Sequence, residues 1–186
     1  MAVQSRLMTA EEFFDLPEIP GKRFELVRGE LVEVTGTGYR HSRLVRFLQF
    51  RLDAFATERN LGEVSGDNLS YRIARAPDII RVPDVAFVTK ERLPTEDWEG
   101  YMPVAPDLAV EVVSPNDRPR EVNDKVHEYL ENGTRLIWVV WPKRQTVTVH
   151  TADNESHELG ADDELDGGDV LPGFRVRVAD LFAARR

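Results

Sequence analysis

A chain of 186 residues with 41% hydrophobic and 31% charged side chains has the size and balance of one soluble domain with a real core, spanning residues 1–186. The absence of cysteine excludes disulfides, a thiolate nucleophile and a cysteine zinc site. The longest apolar run, Leu136 to Trp141, is far short of the roughly 20 residues of a membrane span, and the N-terminus lacks the basic-then-apolar order of a secretory signal, which suits a cytoplasmic protein with no membrane partner.

A net charge of −9 argues against nucleic-acid binding through the whole surface. The charge is unevenly spread. Residues 1–75 hold eleven basic and eleven acidic side chains, and residues 76–186 hold thirteen basic and twenty-two acidic ones. A nucleic-acid surface would have to draw on the first part.

Thr9 with Glu12 three residues on forms a capping box that opens a short helix, which Leu16-Pro17 ends. Phe24–Val27 and Glu30–Val34 read as a hairpin about Arg28-Gly29, with Glu25 and Val27 on one face of the first strand. Thr35-Gly36-Thr37-Gly38 is a flexible connection and lacks the Gly-Lys-Ser/Thr of a phosphate loop. Residues 41 to 58 form the longest helix, with an apolar stripe of Leu44, Leu48, Leu52 and Phe55. Arg40, Arg43, Arg46 and Arg51 flank it, as a solvated face or as contacts to backbone phosphates. His41, in the first turn, reads first as a surface residue; phosphate contact and proton transfer are the alternatives.

Gly62–Ser65 and Leu69–Ile73 read as strands joined by a Gly66-Asp67-Asn68 turn, and Ala76-Pro77-Asp78 as a loop. Residues 90 to 106, with Trp98 and Tyr101, form a long polar surface loop that could rim a cleft. A helix capped by Asn116 or Asp117 runs from Arg118 to Asn132, with Pro119 in its first turn and Asn132-Gly133 as its stop. Val122, Val126, Tyr129 and Leu130 form its apolar side, and Lys125 lies between Val122 and Tyr129 on the helical wheel, on the inward side. The strand Leu136–Trp141 follows, so strand, helix and strand form a parallel unit. The remainder is β-rich: Thr146–Thr151 pairs with His157–Leu159 across Ala152-Asp153-Asn154, Asp166–Asp169 is a turn, and Ala179–Phe182 is a last helical turn.

Two strands stand out because each carries one acid. The first is Arg81–Val88, with Asp84 directly after Pro83; the second is Pro106–Ser114, with Glu111 in its interior. Alternation sets Leu108, Val110 and Val112 on one face and Ala109, Glu111 and Val113 on the other. A carboxylate in an otherwise apolar strand needs a cation, a metal or a water-filled cleft opposite it, since an unpaired buried charge costs several kcal/mol or takes up a proton. Asp84 alone reads first as a satisfied acid that caps a turn. Together the two acids could converge on a hard cation such as Mg²⁺, which takes one or two carboxylates plus water and phosphate oxygens.

Phe24-Glu25-Leu26-Val27-Arg28-Gly29-Glu30-Leu31-Val32, Val82-Pro83-Asp84-Val85-Ala86, Leu108-Ala109-Val110-Glu111-Val112-Val113-Ser114-Pro115 and Lys125-Val126-His127-Glu128-Tyr129-Leu130, in this order, resemble the Uma-type putative restriction endonucleases of the PD-(D/E)XK nuclease superfamily. The resemblance runs from about Thr9 to Phe182. It implies a mixed α/β sheet of restriction-endonuclease-like form with flanking helices and a β-rich C-terminal part, a DNA substrate, a divalent metal and, since such nucleases often pair to cut two strands, a homodimer. The superfamily lysine would fall at position 113, which here is Val113.

On this reading Asp84 and Glu111 hold Mg²⁺ or Mn²⁺ with the carbonyl of Val112, and Lys125 takes the place of the missing lysine. Glu25 is a weaker third acid, equally readable as paired with Arg23 or another base. Making Lys125 a neutral base near pH 7 requires about 3 units of pKa lowering, roughly 4–5 kcal/mol, against two neighbouring carboxylates, so it reads as a fixed cation. The alternative is a lysine that snorkels from the helix edge. Two other functions fit the same residues: hydrolysis of another phosphoester, and a non-catalytic binding protein on the nuclease fold. The four histidines show no zinc-ligand spacing, and no Gly-x-Ser-x-Gly elbow is present. Trp138, Trp141 and the β-rich tail offer apolar surface for a second copy.

Overall fold

Pairing of the apolar strands decides the architecture. The computed structural model describes residues 6–34, 38–66, 69–95 and 100–183; the Thr35-Gly36-Thr37 connection, the Asp67-Asn68 tip and Trp98 lie outside the described residues. The elements are α1 (Ala10–Phe14), β1 (Arg23–Val27), β2 (Glu30–Val34), α2 (Tyr39–Arg59), β3 (Gly62–Gly66), β4 (Tyr71–Ala74), β5 (Ile79–Arg81), β6 (Val85–Thr89), β7 (Leu108–Val112), α3 (Pro119–Glu131), β8 (Leu136–Trp141), β9 (Thr146–Thr151), β10 (Ser156–Leu159), β11 (Glu164–Gly167), β12 (Leu171–Arg177) and α4 (Val178–Phe182).

The central six-stranded sheet has the order β10-β9-β8-β7-β6-β3. Its β7–β8 pair is parallel and the other pairs are antiparallel, so the sheet is mixed. The period of two in β7 sorts its side chains between two cores. Leu108, Val110 and Val112 pack with Leu44, Leu48 and Leu52 of α2, whereas Ala109 packs with Val126 and Tyr129 of α3 on the opposite face. The four-stranded sheet runs β2-β1-β5-β4, and β11-β12 forms a separate pair. The β1–β2 hairpin turns at Arg28 (φ 51°) and Gly29 (φ 80°), the two left-handed residues of a tight hairpin turn. Among the described residues no helix is long and apolar enough to cross a membrane.

Several local expectations are corrected. The strand read as Arg81–Val88 is two strands. β5 joins the four-stranded sheet and β6 the six-stranded one, and Val82-Pro83-Asp84 is the step between them. Proline has no N–H to give a ladder, so pairing breaks there. β3 and β4 do not form a hairpin either: β3 pairs with β6 and β4 with β5. Val64 of β3 packs on the α2 side of the central sheet and Tyr71 and Ile73 of β4 on the α3 side, so one hairpin could not bury both. The N-cap of α3 is Arg118, while Asp117 Oδ2 accepts the Ser114 amide at 2.7 Å and shapes the preceding turn.

Among the described residues, none of the loop 90 to 106 lines the cleft described below. They pack elsewhere, with Tyr101 edge-on to Phe14 at 5.4 Å and Met102 bridged to Tyr71. Trp138 is not surface for a second copy. It is fully buried and stacks on Phe174 at 5.8 Å, so the β-rich tail covers it. Trp141 is half-buried, donates to Thr148 Oγ1 at 2.9 Å and carries the Arg144 guanidinium over its ring.

The Trp138 indole N–H is buried without a partner. Trp138→Ala should cost about 3–5 kcal/mol in urea unfolding. Trp138→Phe should cost clearly less, because it also removes an unpaired buried donor, itself a penalty of about 1–3 kcal/mol.

Candidate active site

The step at Pro83 sets Asp84 at the entrance of β6. The β6–β7 register pairs Val85 with Val110, so one position further on Asp84 faces Glu111. Asp84 Oδ2 accepts the backbone amide of Val112 at 2.7 Å and lies 3.1 Å from His41 Nε2. His41 is buried at 6% exposure, which corrects its reading as a surface residue. A carboxylate only accepts, so Nε2 donates, and the Nδ1 atom is buried without a partner. Burial disfavours the imidazolium, but the hydrogen bond and charge of Asp84, with Asp117 and Glu111 behind it, outweigh burial and raise the His41 pKa.

Glu111 points from β7 toward α3. Its Oε2 accepts Lys125 Nζ at 2.9 Å and its Oε1 accepts the Tyr129 hydroxyl at 3.0 Å. Lys125 and Tyr129 are four residues apart and so share a helix face. Lys125 Nζ also lies 3.0 Å from Glu25 Oε1, which makes the ammonium a bridge between β1 and β7. Glu25 is buried; it accepts Arg81 Nη1 at 2.6 Å and the Val82 amide at 3.0 Å. Arg81 in turn binds Glu128 through both Nε and Nη2. Glu25 is therefore paired with Arg81 and Lys125 inside the site.

Burial pushes Glu111 up to about 7; Lys125 opposes this, and the charges of Asp84 and Glu25 add to it. For Lys125 burial favours the neutral form, but Glu111 and Glu25 together win and raise its pKa, so it is a cation at neutral pH. The two partners differ because Lys125 answers to two carboxylates, whereas Glu111 must share its one cation and faces two other acids. Glu25 is held below its ordinary value: burial would raise it, and the charges of Lys125 and Arg81 prevail.

All of these side chains except that of Tyr129, which lies behind Glu111, line one cleft of about 490 Å³ between the β1–β2 hairpin, the start of α2, the end of β7 and α3. Asp84, Glu111, Val112, Lys125, Glu25 and His41, all singled out in the sequence, are brought together there. Eight carboxylates line it against three cationic side chains, Arg23, Arg81 and Lys125. An anion is poorly received by such a lining on its own; the residues that could hold a divalent cation are Asp84 and Glu111, with the Val112 backbone beside them. Among the described residues no three His, Asp or Glu side chains cluster around a metal position. A two-carboxylate set completed by water and phosphate is the Mg²⁺ pattern. Arg81, Glu128 and the Tyr129 hydroxyl are the members that sequence reasoning missed. Arg81 carried a signal like that of Glu111, a charge directly after the apolar pair Ile79-Ile80.

A family model described as Uma2, putative restriction endonuclease, matches residues 10–179. A crystal structure described as a putative nuclease belonging to DUF820 from Anabaena variabilis superposes with a TM-score of 0.84 at 22% identity, covering 94% of this chain and 97% of that one. At that identity the likeness shows the fold. No curated protein sequence matches the chain.

Because folded Glu111 binds its proton more tightly than the unfolded chain does, its contribution to stability is complete below about pH 4.5 and is lost as pH rises through about 7. In metal-free buffer the stability of the parent relative to Glu111→Gln should therefore fall between pH 4.5 and 8, by up to about 3 kcal/mol. Denaturant unfolding of both proteins across that range measures it; a constant difference would contradict the raised pKa.

Proposed function

Since the chain belongs to the Uma2 putative restriction endonuclease family, we propose that it is a cytoplasmic, metal-dependent endonuclease that hydrolyses DNA phosphodiester bonds. The observation that carries the reading is Lys125 Nζ at 2.9 Å from Glu111 Oε2, with Asp84 facing Glu111 from the next strand. A lysine beside the second acid is what the superfamily pattern asks for at position 113, and α3 supplies it from a different element. The family supports DNA as substrate; two carboxylates and a lysine alone would suit any phosphodiester.

In this reading Asp84, Glu111 and the carbonyl of Val112 hold Mg²⁺ or Mn²⁺. The bound cation would neutralise a phosphate oxygen and acidify a water. His41 and the Val112 amide both engage Asp84 Oδ2, which fixes the carboxylate at the wall of the cleft. Tyr129 and Lys125 take one oxygen each of Glu111 and set its plane. Lys125 keeps its proton, so it orients the attacking water and stabilises the charge that develops on phosphate, without serving as the base. Arg81, through Glu25, holds the lysine in place.

Glu111→Ala should abolish Mn²⁺ binding by titration calorimetry and plasmid nicking with it, and leave a folded protein, since the cost of holding an acid in β7 disappears too. Lys125→Ala should keep metal binding and lose about 10²–10³-fold in nicking rate, with little rescue by Lys125→Arg, whose planar guanidinium does not replace an ammonium. Parent-like metal binding by Glu111→Ala would place the metal elsewhere, and parent-like nicking by Lys125→Ala would make Lys125 purely structural.

We propose a homodimer as the working form. Its support is β2, an edge strand with Leu31 and Val32 exposed at 42% and 41%, the kind of edge that pairs with another chain. Light scattering at micromolar protein should give twice the chain mass, and a Val32→Lys variant should give the single mass.

A further inference from the structure

We propose that the outer face of α2 is the surface along which the DNA backbone runs as it leaves the cleft; the choice of DNA rests on the nuclease reading. The cleft cannot supply the grip itself, since carboxylates dominate its lining. The whole chain, at −9, repels a polyanion. Helix α2 is the exception. It carries Arg40, Arg43, Arg46, Arg51 and Arg59 against two acids, Asp53 and Glu58, and Glu58 is paired with Arg59. Arg43 is engaged with the carbonyls of Phe182 and Ala183. Arg40, Arg46 and Arg51 are exposed and make no ion pair among the described residues.

The solvent side of the helix also bears the two most exposed aromatic side chains among the described residues, Tyr39 at 85% and Phe50 at 65%. At 3.6 residues per turn, Tyr39, Arg46 and Phe50 fall within about 40° of one another, on a stripe about 16 Å long. The helix itself begins at the site: His41, in its first turn, lies 3.1 Å from Asp84. Arg46 lies on this stripe, and Arg40 and Arg51 lie together on its flank, about 100° round the helix from Tyr39 and Phe50. Free guanidiniums on and beside an aromatic row suit the phosphates of a DNA backbone, with the aromatic faces against sugars and unstacked bases. A second copy is a poor occupant, because two such faces would set arginines against arginines.

The test is binding of a fluorescein-labelled 20-mer DNA duplex, followed by anisotropy over a series of salt concentrations with Ca²⁺ as the only divalent ion. Three phosphate contacts predict a slope of log K on log salt of about −3. In the double variant Arg46→Gln/Arg51→Gln the slope should fall to about −1, with weaker binding at low salt. Arg46→Lys/Arg51→Lys, which keeps the charge, should bind like the parent. These exposed positions are far from the core, and circular dichroism checks the fold. An unchanged slope in the glutamine variant, with a parent that nicks plasmid, overturns the surface and leaves the nuclease reading standing. Salt-dependent binding that needs Arg46 and Arg51, in a parent that nicks nothing, upholds the surface and counts against the nuclease reading. A parent that binds no DNA, or a dimer that Phe50→Ala converts to monomer, also overturns the surface.

Discussion

The Lys125 ammonium, held between Glu25 and Glu111, is the contact on which the arrangement of the site depends. It ties three elements that are distant in sequence: β1 of the four-stranded sheet, β7 of the central sheet and α3 above them. Each member alone would be costly in its setting. A buried lysine tends to lose its proton and a buried glutamate to gain one. Placed together with Arg81, they form a network in which Lys125 and Glu25 stay charged and only Glu111 is left close to neutral pH. Buried ion networks add little net stability compared with apolar packing, so this one is better understood as setting geometry than as holding the fold together.

Stability comes from elsewhere. Both faces of the central sheet are covered, by α2 with the C-terminal hairpin on one side and by α3 on the other, and the largest buried side chains, Trp138, Tyr71, Tyr129 and Phe87, belong to these layers. The site sits where this packing ends. The β7 ladder stops at Val112, the β5–β6 connection steps between sheets, and α2 begins. Backbone groups that leave the ladder there become available to side chains: the Val112 amide goes to Asp84 and the Val82 amide to Glu25. The same interruption that weakens the sheet locally supplies the donors that orient both acids.

One residue explains much of the difference between local and global structure. Pro83 lies within what reads as one strand, Arg81 to Val88. Its missing N–H ends one ladder and lets another begin, so Arg81 and Asp84, three residues apart, serve different sheets while lining the same cleft. Arg81 thereby reaches Glu25 and Glu128, and Asp84 reaches His41 and Val112.

What the amino-acid sequence determined by itself follows from short-range periodicity. Alternation in Leu108–Val113 put Glu111 on the face opposite Val110, helical spacing put Lys125 on the inward side of its helix beside Tyr129, and Arg28-Gly29 marked the β1–β2 turn. These rules act over one strand or one turn, and the surroundings did not override them. Tertiary structure decided what lies across from each residue. His41 carries no local sign of burial, since only the approach of α2 to the entrance of β6 covers it. Glu25 could as well have met a surface base, and becomes part of the site because β1 and β5 are neighbours. The sheet that each of β3 and β4 joins depends on partners 19 to 27 residues away for β3 and 5 to 10 for β4. Such pairings are fixed by which apolar faces can be buried together, a property of the assembled layers that no single stretch of the chain contains.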